Sequence, residues 1–351
     1  MVRARCDRVT GECKIYGQNA SSNLSVLCFA ERKAIMKKKV LVIGGTGVMG
    51  SYLVPKLLKR GFQVDAVSLD TVVSGHTDLT YYQENLLDYH AIRRFLTGRH
   101  YDAIIDFLTY STAQYAERYE LLLSSAEHFV FVSSYRIYSD FQIPTTETAP
   151  RLLDVTTVET FLKSDDYSLF KAREENILRS SKFTNWTIVR PSIVYSSKRI
   201  AFVTLELPLL LQRAKNKKPI YIPEEAWNVE ATCTWAGDAA ELIARLLFKK
   251  TAQCEIYSVC TAEHQTWGTI AGYYRELLDV DIRAIPGADY LNFFGNTLTA
   301  RVQLYYDRCM QRVMDNTKVL EATGMRQSEF TTIHDGITQA ITELLPKEPL
   351  I

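Results

Sequence analysis

Short continuous apolar runs alternate with segments of helical period along most of this chain. Residues 40–43, 62–68, 80–83, 102–108, 128–132 and 186–190 read as strands. Runs that are apolar at successive positions predict strands buried on both faces, as in a parallel sheet. Residues 52–60, 90–96, 113–124 and 167–180 carry the 3.6-residue period of amphipathic helices. Gly61 stands where the first of these needs a left-handed cap. Strictly alternating strands and helices predict an α/β architecture, a doubly wound parallel sheet with right-handed crossovers.

Beyond Pro191 the alternation weakens. Residues 208–215, 238–248, 267–278, 298–313 and 333–344 predict helices, and 255–259 one more strand. The pattern predicts a cofactor-binding domain over 36–195, with 228–260 returning to it, and a smaller C-terminal substrate-binding lobe built from 196–227 and 261–351. Residues 1–35 lack a sustained period, hold three of the seven cysteines and precede Met36-Lys-Lys-Lys39. They are expected to form a disordered extension.

Composition narrows the function classes. The chain has 351 residues, 47% hydrophobic and 23% charged, with a formal net charge of +1. Such a balance gives no electrostatic reason to expect nucleic acid or an anionic membrane as partner. Seven scattered cysteines without a Cys-x-x-Cys pair argue against a zinc site or a disulfide framework, and fit the reducing cytoplasm. No apolar run approaches the ~20 residues of a membrane span.

Chemistry concentrates at the ends of the predicted strands. Gly44, Gly47 and Gly50 sit between the first strand and the first helix. There, small residues let backbone N–H groups and the helix N-terminus approach a pyrophosphate. Val48 and Met49 in the same loop, Phe107 and Leu108 after the fourth strand, and Pro191 after the sixth are further candidate cofactor contacts. Tyr167 and Lys171 lie four apart on one helix face. A free phenol, with a pKa near ~10, is a poor base at neutral pH. A neighbouring ammonium and a positive nicotinamide would favour its phenolate. Ser134 ends the fifth strand at the same rim, placed to hold a substrate oxygen, while Ser133 reads as a backbone-capping hydroxyl. The six histidines show no metal-ligand spacing, so no metal site is expected.

Four motifs together resemble the extended short-chain dehydrogenase/reductase superfamily, in its NAD-dependent epimerase/dehydratase group. They are Gly44-x-x-Gly47-x-x-Gly50, Ser133-Ser-Tyr-Arg-Ile-Tyr138, Tyr167-x-x-x-Lys171-x-x-x-Glu175 and Arg190-Pro-Ser-Ile-Val-Tyr195. The resemblance implies a Rossmann-type fold, NAD as cofactor and Ser134, Tyr167 and Lys171 as catalytic residues. It places Ser68 at the ribose and Asn85-Leu86 at the adenine. NAD is favoured over NADP because no cation follows Ser68 closely. Tyr135-Arg136 replaces the Asp-Glu pair of the 4,6-dehydratases, which disfavours dehydration. Ile193 replaces an Asn that helps hold a sugar-nucleotide pyrophosphate, and Ser196-Ser197 replaces a Gly-Pro. The function implied is epimerisation of a sugar, as a nucleotide sugar, through transient oxidation. The alternatives are a reductase or dehydrogenase using the same residues, or a non-catalytic RNA-binding member. The resemblance further implies a homodimer through paired helices.

Overall fold

The computed structural model describes residues 3–6, 13–16, 37–293 and 295–344. Within the first 36 residues, Arg3–Cys6 and Cys13–Tyr16 pair antiparallel. The rest of that stretch, on which the expected disordered extension falls, lies outside the described residues.

From Lys37 onward the apolar runs form the predicted sheet. Its first half consists of β1 (Lys39–Ile43), α1 (Gly50–Lys59), β2 (Gln63–Ser68), β3 (Leu79–Gln83) and α2 (Tyr89–Leu96). Next come β4 (Ala103–Asp106), α3 (Thr112–Ser124), β5 (Phe129–Val132), α4 (Tyr167–Arg179) and β6 (Trp186–Pro191). The outer lobe begins with β7 (Ile193–Tyr195), α5 (Leu207–Lys215) and β8 (Ile220–Pro223). It is followed by β9 (Cys233–Trp235), α6 (Ala236–Leu246) and β10 (Glu255–Val259). The chain continues through α7 (Trp267–Leu278), β11 (Ile282–Ile285), α8 (Leu298–Gln303) and α9 (Ile333–Leu344).

The central sheet has seven strands in the order β10-β6-β5-β4-β1-β2-β3, all parallel. Strand order reverses between β1 and β4, which makes the crevice at their carboxyl ends the expected ligand position. Alternate residues of each strand feed opposite cores. Val40, Val42, Val130 and Val132 face the layer of α1 and α6, while Leu41, Ile43, Phe129 and Phe131 face that of α2 and α3. This explains why the strands read as unbroken apolar runs. A further apolar cluster joins Tyr135 and Tyr138 after β5 to Ile193, Trp235, Trp267 and Tyr274. No helix among the described residues is long and apolar enough to cross a membrane.

One expected element is different. The helix anticipated over 298–313 stops as α8 at Gln303 and continues only as a wide π turn, Leu304–Arg308. The reason lies in long-range contacts. Arg308 Nε donates to the Val203 carbonyl (2.6 Å), and Arg312 Nη1 to that of Tyr138 (2.9 Å). Thr145 N donates to the Val313 carbonyl (2.8 Å), drawing the chain into an extended path.

The α4 helix is fixed to the sheet by a buried charge pair. Arg190 Nε and Nη2, from β6, donate to the two Glu175 carboxylate oxygens (2.9 and 2.6 Å). Arg190 Nη1 also donates to Tyr138 Oη (2.6 Å) and the Glu147 carbonyl (2.8 Å). Removing one member of such a pair leaves the other charged and unsatisfied, at about 3–5 kcal/mol. Glu175→Gln is therefore expected to lower unfolding free energy by about that amount, read by denaturant titration. A loss below about 1 kcal/mol would show that Arg190 finds other partners.

Candidate functional site

The glycine loop is shaped for close approach. Gly44 has φ +83°, and a Cβ there would lie 3.1 Å from that of Phe107, across the β1–β4 switch point. A Cβ on Gly50 would collide with the Gly44 carbonyl oxygen and lie 2.8 Å from Gly45 backbone. Met49 caps α1 without a side-chain hydrogen bond. The Val48 and Met49 N–H groups donate to no carbonyl among the described residues. Free donors at a helix N-terminus beside a bare backbone fit a pyrophosphate. Lys198, which the motifs did not single out, donates to the Thr46 carbonyl (2.8 Å) and brings an ammonium to this loop.

A cavity of about 320 Å³ opens beside the loop. Its walls include Val48, Met49, Phe107, Leu108, Ser134, Tyr167, Lys171 and Pro191. Eight of the residues singled out from sequence thus meet in one place. Ser68 ends β2, and its Oγ accepts from Asp70 N (3.2 Å). Asn85 is exposed, and its Oδ1 accepts from Leu87 N (3.2 Å). Leu86 is buried among Ile43, Val67 and Ile92. Ser68, Asn85 and Leu86 do not wall the cavity.

Local structure sets the serine differently from the sequence reading. Ser134 Oγ itself accepts from Arg136 N (3.2 Å) and caps a short 3₁₀ turn, Tyr135–Ile137. Ser133 was expected to be the capping hydroxyl. Instead its Oγ is buried with no hydrogen-bond partner among the described residues, on the same cavity wall. As an acceptor of one N–H, the Ser134 hydroxyl still has its proton to give.

Tyr167 is the first residue of α4, behind the Asp166 cap whose carboxylate accepts from Ser168 N (3.0 Å). Lys171 is buried, and its ammonium lies 4.7 Å from the Phe131 ring centre. Its ion-pair partner is Glu174, 3.0 Å away and also buried. Burial pushes the Glu174 pKa up to about 7, with Lys171 pulling the other way. Asp106, at the end of β4, is pushed up to about 6 by burial, against hydrogen bonds from Leu108 N and Tyr110 Oη and the charge of Lys171. Sequence reasoning missed Glu174. The one available signal was a second glutamate beside Glu175, on a helix that must bury that face.

The motifs also missed the cavity's charge. Arg136, Arg199 and Arg308 wall it together with Lys171, and no acid among the described residues does. Arg136 lies with its guanidinium carbon 5.0 Å from the Tyr167 ring centre. Beneath it, Asp307 is fully buried, 3.1 Å from Arg136 Nε and 2.9 Å from Arg308 Nη1. Burial works to raise the Asp307 pKa, but Arg308, Arg136 and Arg312 together hold it below the usual carboxylate value.

Comparison with known proteins follows the same lines. The family model described as NAD dependent epimerase/dehydratase matches residues 40–260. A UDP-glucose 4-epimerase of Lactobacillus helveticus is 36% identical over 78 residues, 21% of this chain and 23% of that protein. The chain thus spans about a quarter of the length of the curated UDP-glucose 4-epimerases it matches. The chloroplast stem-loop binding protein of 41 kDa b of Arabidopsis thaliana is 24% identical over 256 residues, 68% of this chain and 62% of that one. Among solved structures, the UDP-glucose 4-epimerase of Thermus thermophilus in complex with NAD has a similar fold. The TM-score is 0.64 at 19% identity, covering 87% of this chain and 98% of that one.

The Glu174 environment has a pH signature. Between the ordinary value of 4.5 and about 7, the folded chain keeps a proton that the unfolded chain has released. Stability from this group therefore falls as pH rises through that window. Glu174→Gln removes the effect. The stability difference between variant and parent is expected to move toward the variant by on the order of 1–3 kcal/mol from about pH 5 to about pH 8. Paired denaturant titrations across that range measure it, and a difference that stays flat would mean Glu174 titrates as in water.

Proposed function

We propose that this chain, which belongs to the NAD dependent epimerase/dehydratase family, inverts a carbinol centre of a sugar, presented as a nucleotide sugar, through transient oxidation to the ketone. The observation that carries this reading is the meeting of Ser134, Tyr167 and Lys171 with Val48, Met49 and Pro191 around one cavity. Gly44, Gly47 and Gly50, with Val48 and Met49, would hold the NAD pyrophosphate. Ser68 would reach the ribose, Asn85 and Leu86 the adenine, and Phe107, Leu108 and Pro191 the nicotinamide half. NAD, when bound, supplies the acceptor and later the donor of hydride.

The protein's own groups manage the proton. The Tyr167 phenolate takes it from the sugar hydroxyl as the ketone forms and returns it when the opposite face is reduced. The Ser134 hydroxyl donates to the same oxygen in both directions and fixes its position. Lys171 places its ammonium on the cavity wall, where it favours the phenolate and would meet the nicotinamide ribose. Its pairing with Glu174 holds the side chain in place and moderates its charge. Residues 196–227 and 261–351 would hold the rest of the substrate.

Tyr167→Phe should keep NAD binding and lose about 10²- to 10⁴-fold in turnover. Sugar isomers, followed by NMR with NAD supplied, are the readout. Undiminished turnover would sink the role given to Tyr167. Net consumption of free reduced cofactor would move the assignment to a reductase. The 256-residue likeness to a stem-loop binding protein supports a second reading. Salt-sensitive retention of RNA without any sugar turnover would favour that one.

A further inference from the structure

Two arginines of the cavity wall, Arg136 and Arg308, keep donors that no group among the described residues accepts. Arg136 has one polar contact among the described residues, the approach of its Nε to Asp307 at 3.1 Å. That contact is not a well-aligned hydrogen bond. Its two terminal nitrogens donate to nothing among the described residues, although the side chain is only 18% exposed. Arg308 uses Nε for the Val203 carbonyl and Nη1 for Tyr135 Oη and Asp307, which leaves Nη2 without an acceptor among the described residues. Arg312 lies behind them, 5.3 Å from the Tyr135 ring centre. Arg136 and Arg308 therefore share one buried carboxylate, and a further guanidinium, Arg199, stands half-exposed on the same cavity with Glu206 3.4 Å away.

A merely structural arginine cluster would close its own hydrogen bonds, because an unpaired buried guanidinium is costly. This one leaves donors open on the cavity side. A planar fork with free N–H groups matches a phosphate or carboxylate in bidentate fashion. Its place is also informative. The Arg136 guanidinium packs over the Tyr167 ring, so an anion on it would sit next to the reacting group. Ile193, apolar and on the same wall, stands where the family resemblance implies an amide for a nucleotide pyrophosphate.

We propose that the cavity binds an anionic sugar, whose phosphate or carboxylate is held by the Arg136 fork with Arg308 and Arg199 completing the subsite. The redox chemistry at the sugar rests on the function proposed above, while the anion is placed on the sugar itself rather than on a nucleotide, and the subsite can be tested apart from that reading. The full chain, supplied with NAD, is titrated with glucose, glucose 6-phosphate, glucuronate and UDP-glucose. Binding is read by calorimetry and turnover by NMR of the sugar isomers.

The expected result is that glucose 6-phosphate or glucuronate binds about 10- to 100-fold more tightly than glucose. Arg136→Gln should erase that preference while NAD binding persists. Arg136→Lys, which keeps the charge but not the fork, should retain part of it. Arg199→Gln, at an exposed position, should lower it by about threefold. The last two variants decide the matter if Arg136→Gln does not fold, and an unchanged preference in both would overturn the proposal. Equal binding of glucose and the anions would overturn it too, and so would loss of NAD binding in Arg136→Gln. A preference for UDP-glucose alone that survives Arg136→Gln would place the anion on a pyrophosphate held elsewhere, again overturning it. Arg136-dependent anion binding without any sugar isomer formed would uphold the subsite and sink the epimerase reading. Isomerisation of glucose as readily as of the anions would do the reverse.

Discussion

The buried pair between Arg190 and Glu175 is the constraint on which the arrangement of the site depends. It joins three segments distant in sequence: β6, which ends in Pro191; α4, which begins at Tyr167; and the stretch after β5, through Tyr138. A guanidinium this deep is tolerable only if nearly every donor is used, and here Nε, Nη1 and Nη2 all are. Sliding α4 along the sheet would strand both charges at once. Apolar packing alone would penalise such a slip less sharply, because Leu, Ile and Val side chains repack. The pair thus fixes where Tyr167 and Lys171 stand relative to Ser134 without touching the cavity themselves.

Glu174 is the neighbour of Glu175 and serves a different end. One step along a helix turns a side chain by about 100°. Glu175 meets Arg190, while Glu174 turns to Lys171. The first carboxylate is fully satisfied. Neither oxygen of the second accepts a well-aligned hydrogen bond among the described residues, and burial pushes its pKa up to about 7. With Asp106 nearby, itself pushed up to about 6, two reluctant acids share the single ammonium of Lys171. Adjacent residues of one helix therefore divide the work, one locking the helix to the sheet and the other setting the electrostatics around a cavity lysine.

The sheet was legible in the sequence because both of its faces are buried. Val40 to Ile43 and Phe129 to Val132 could only be apolar throughout, and a run of that kind announces itself. The glycine loop was legible for a related reason, since Gly50 has no room for a Cβ. What stayed hidden depends on contacts between distant segments. The helix expected over 298–313 fails because Arg308 and Arg312 reach Val203 and Tyr138, more than a hundred residues away, and no local period reports that. That Ser134 rather than Ser133 does the capping was hidden because both choices satisfy the same dipeptide, and only the turn at Tyr135–Ile137 decides between them. Arg136 was visible as a departure from a motif, but its meaning came from Asp307, 171 positions on, buried beneath it.

The charges around the cavity fall into two unlike groups. Around Lys171, positive charge is matched by Glu174 and Asp106, so little net charge faces a ligand there. Around Arg136 and Arg308, one carboxylate answers several guanidinium groups, and the excess faces the cavity. A sugar carrying an anion would then be gripped at one end only, by a fork lying over the Tyr167 ring. That is a useful asymmetry for inversion at carbon. The ketone must present first one face and then the other to the same hydride carrier, so it must rotate without leaving. Many weak contacts spread over the whole ring would resist such a turn. A single charge-assisted anchor retains the molecule while leaving the ring free to move about it. The arginines would thus do for the sugar what the Arg190–Glu175 pair does for the helix, holding one point firmly so that the geometry elsewhere follows.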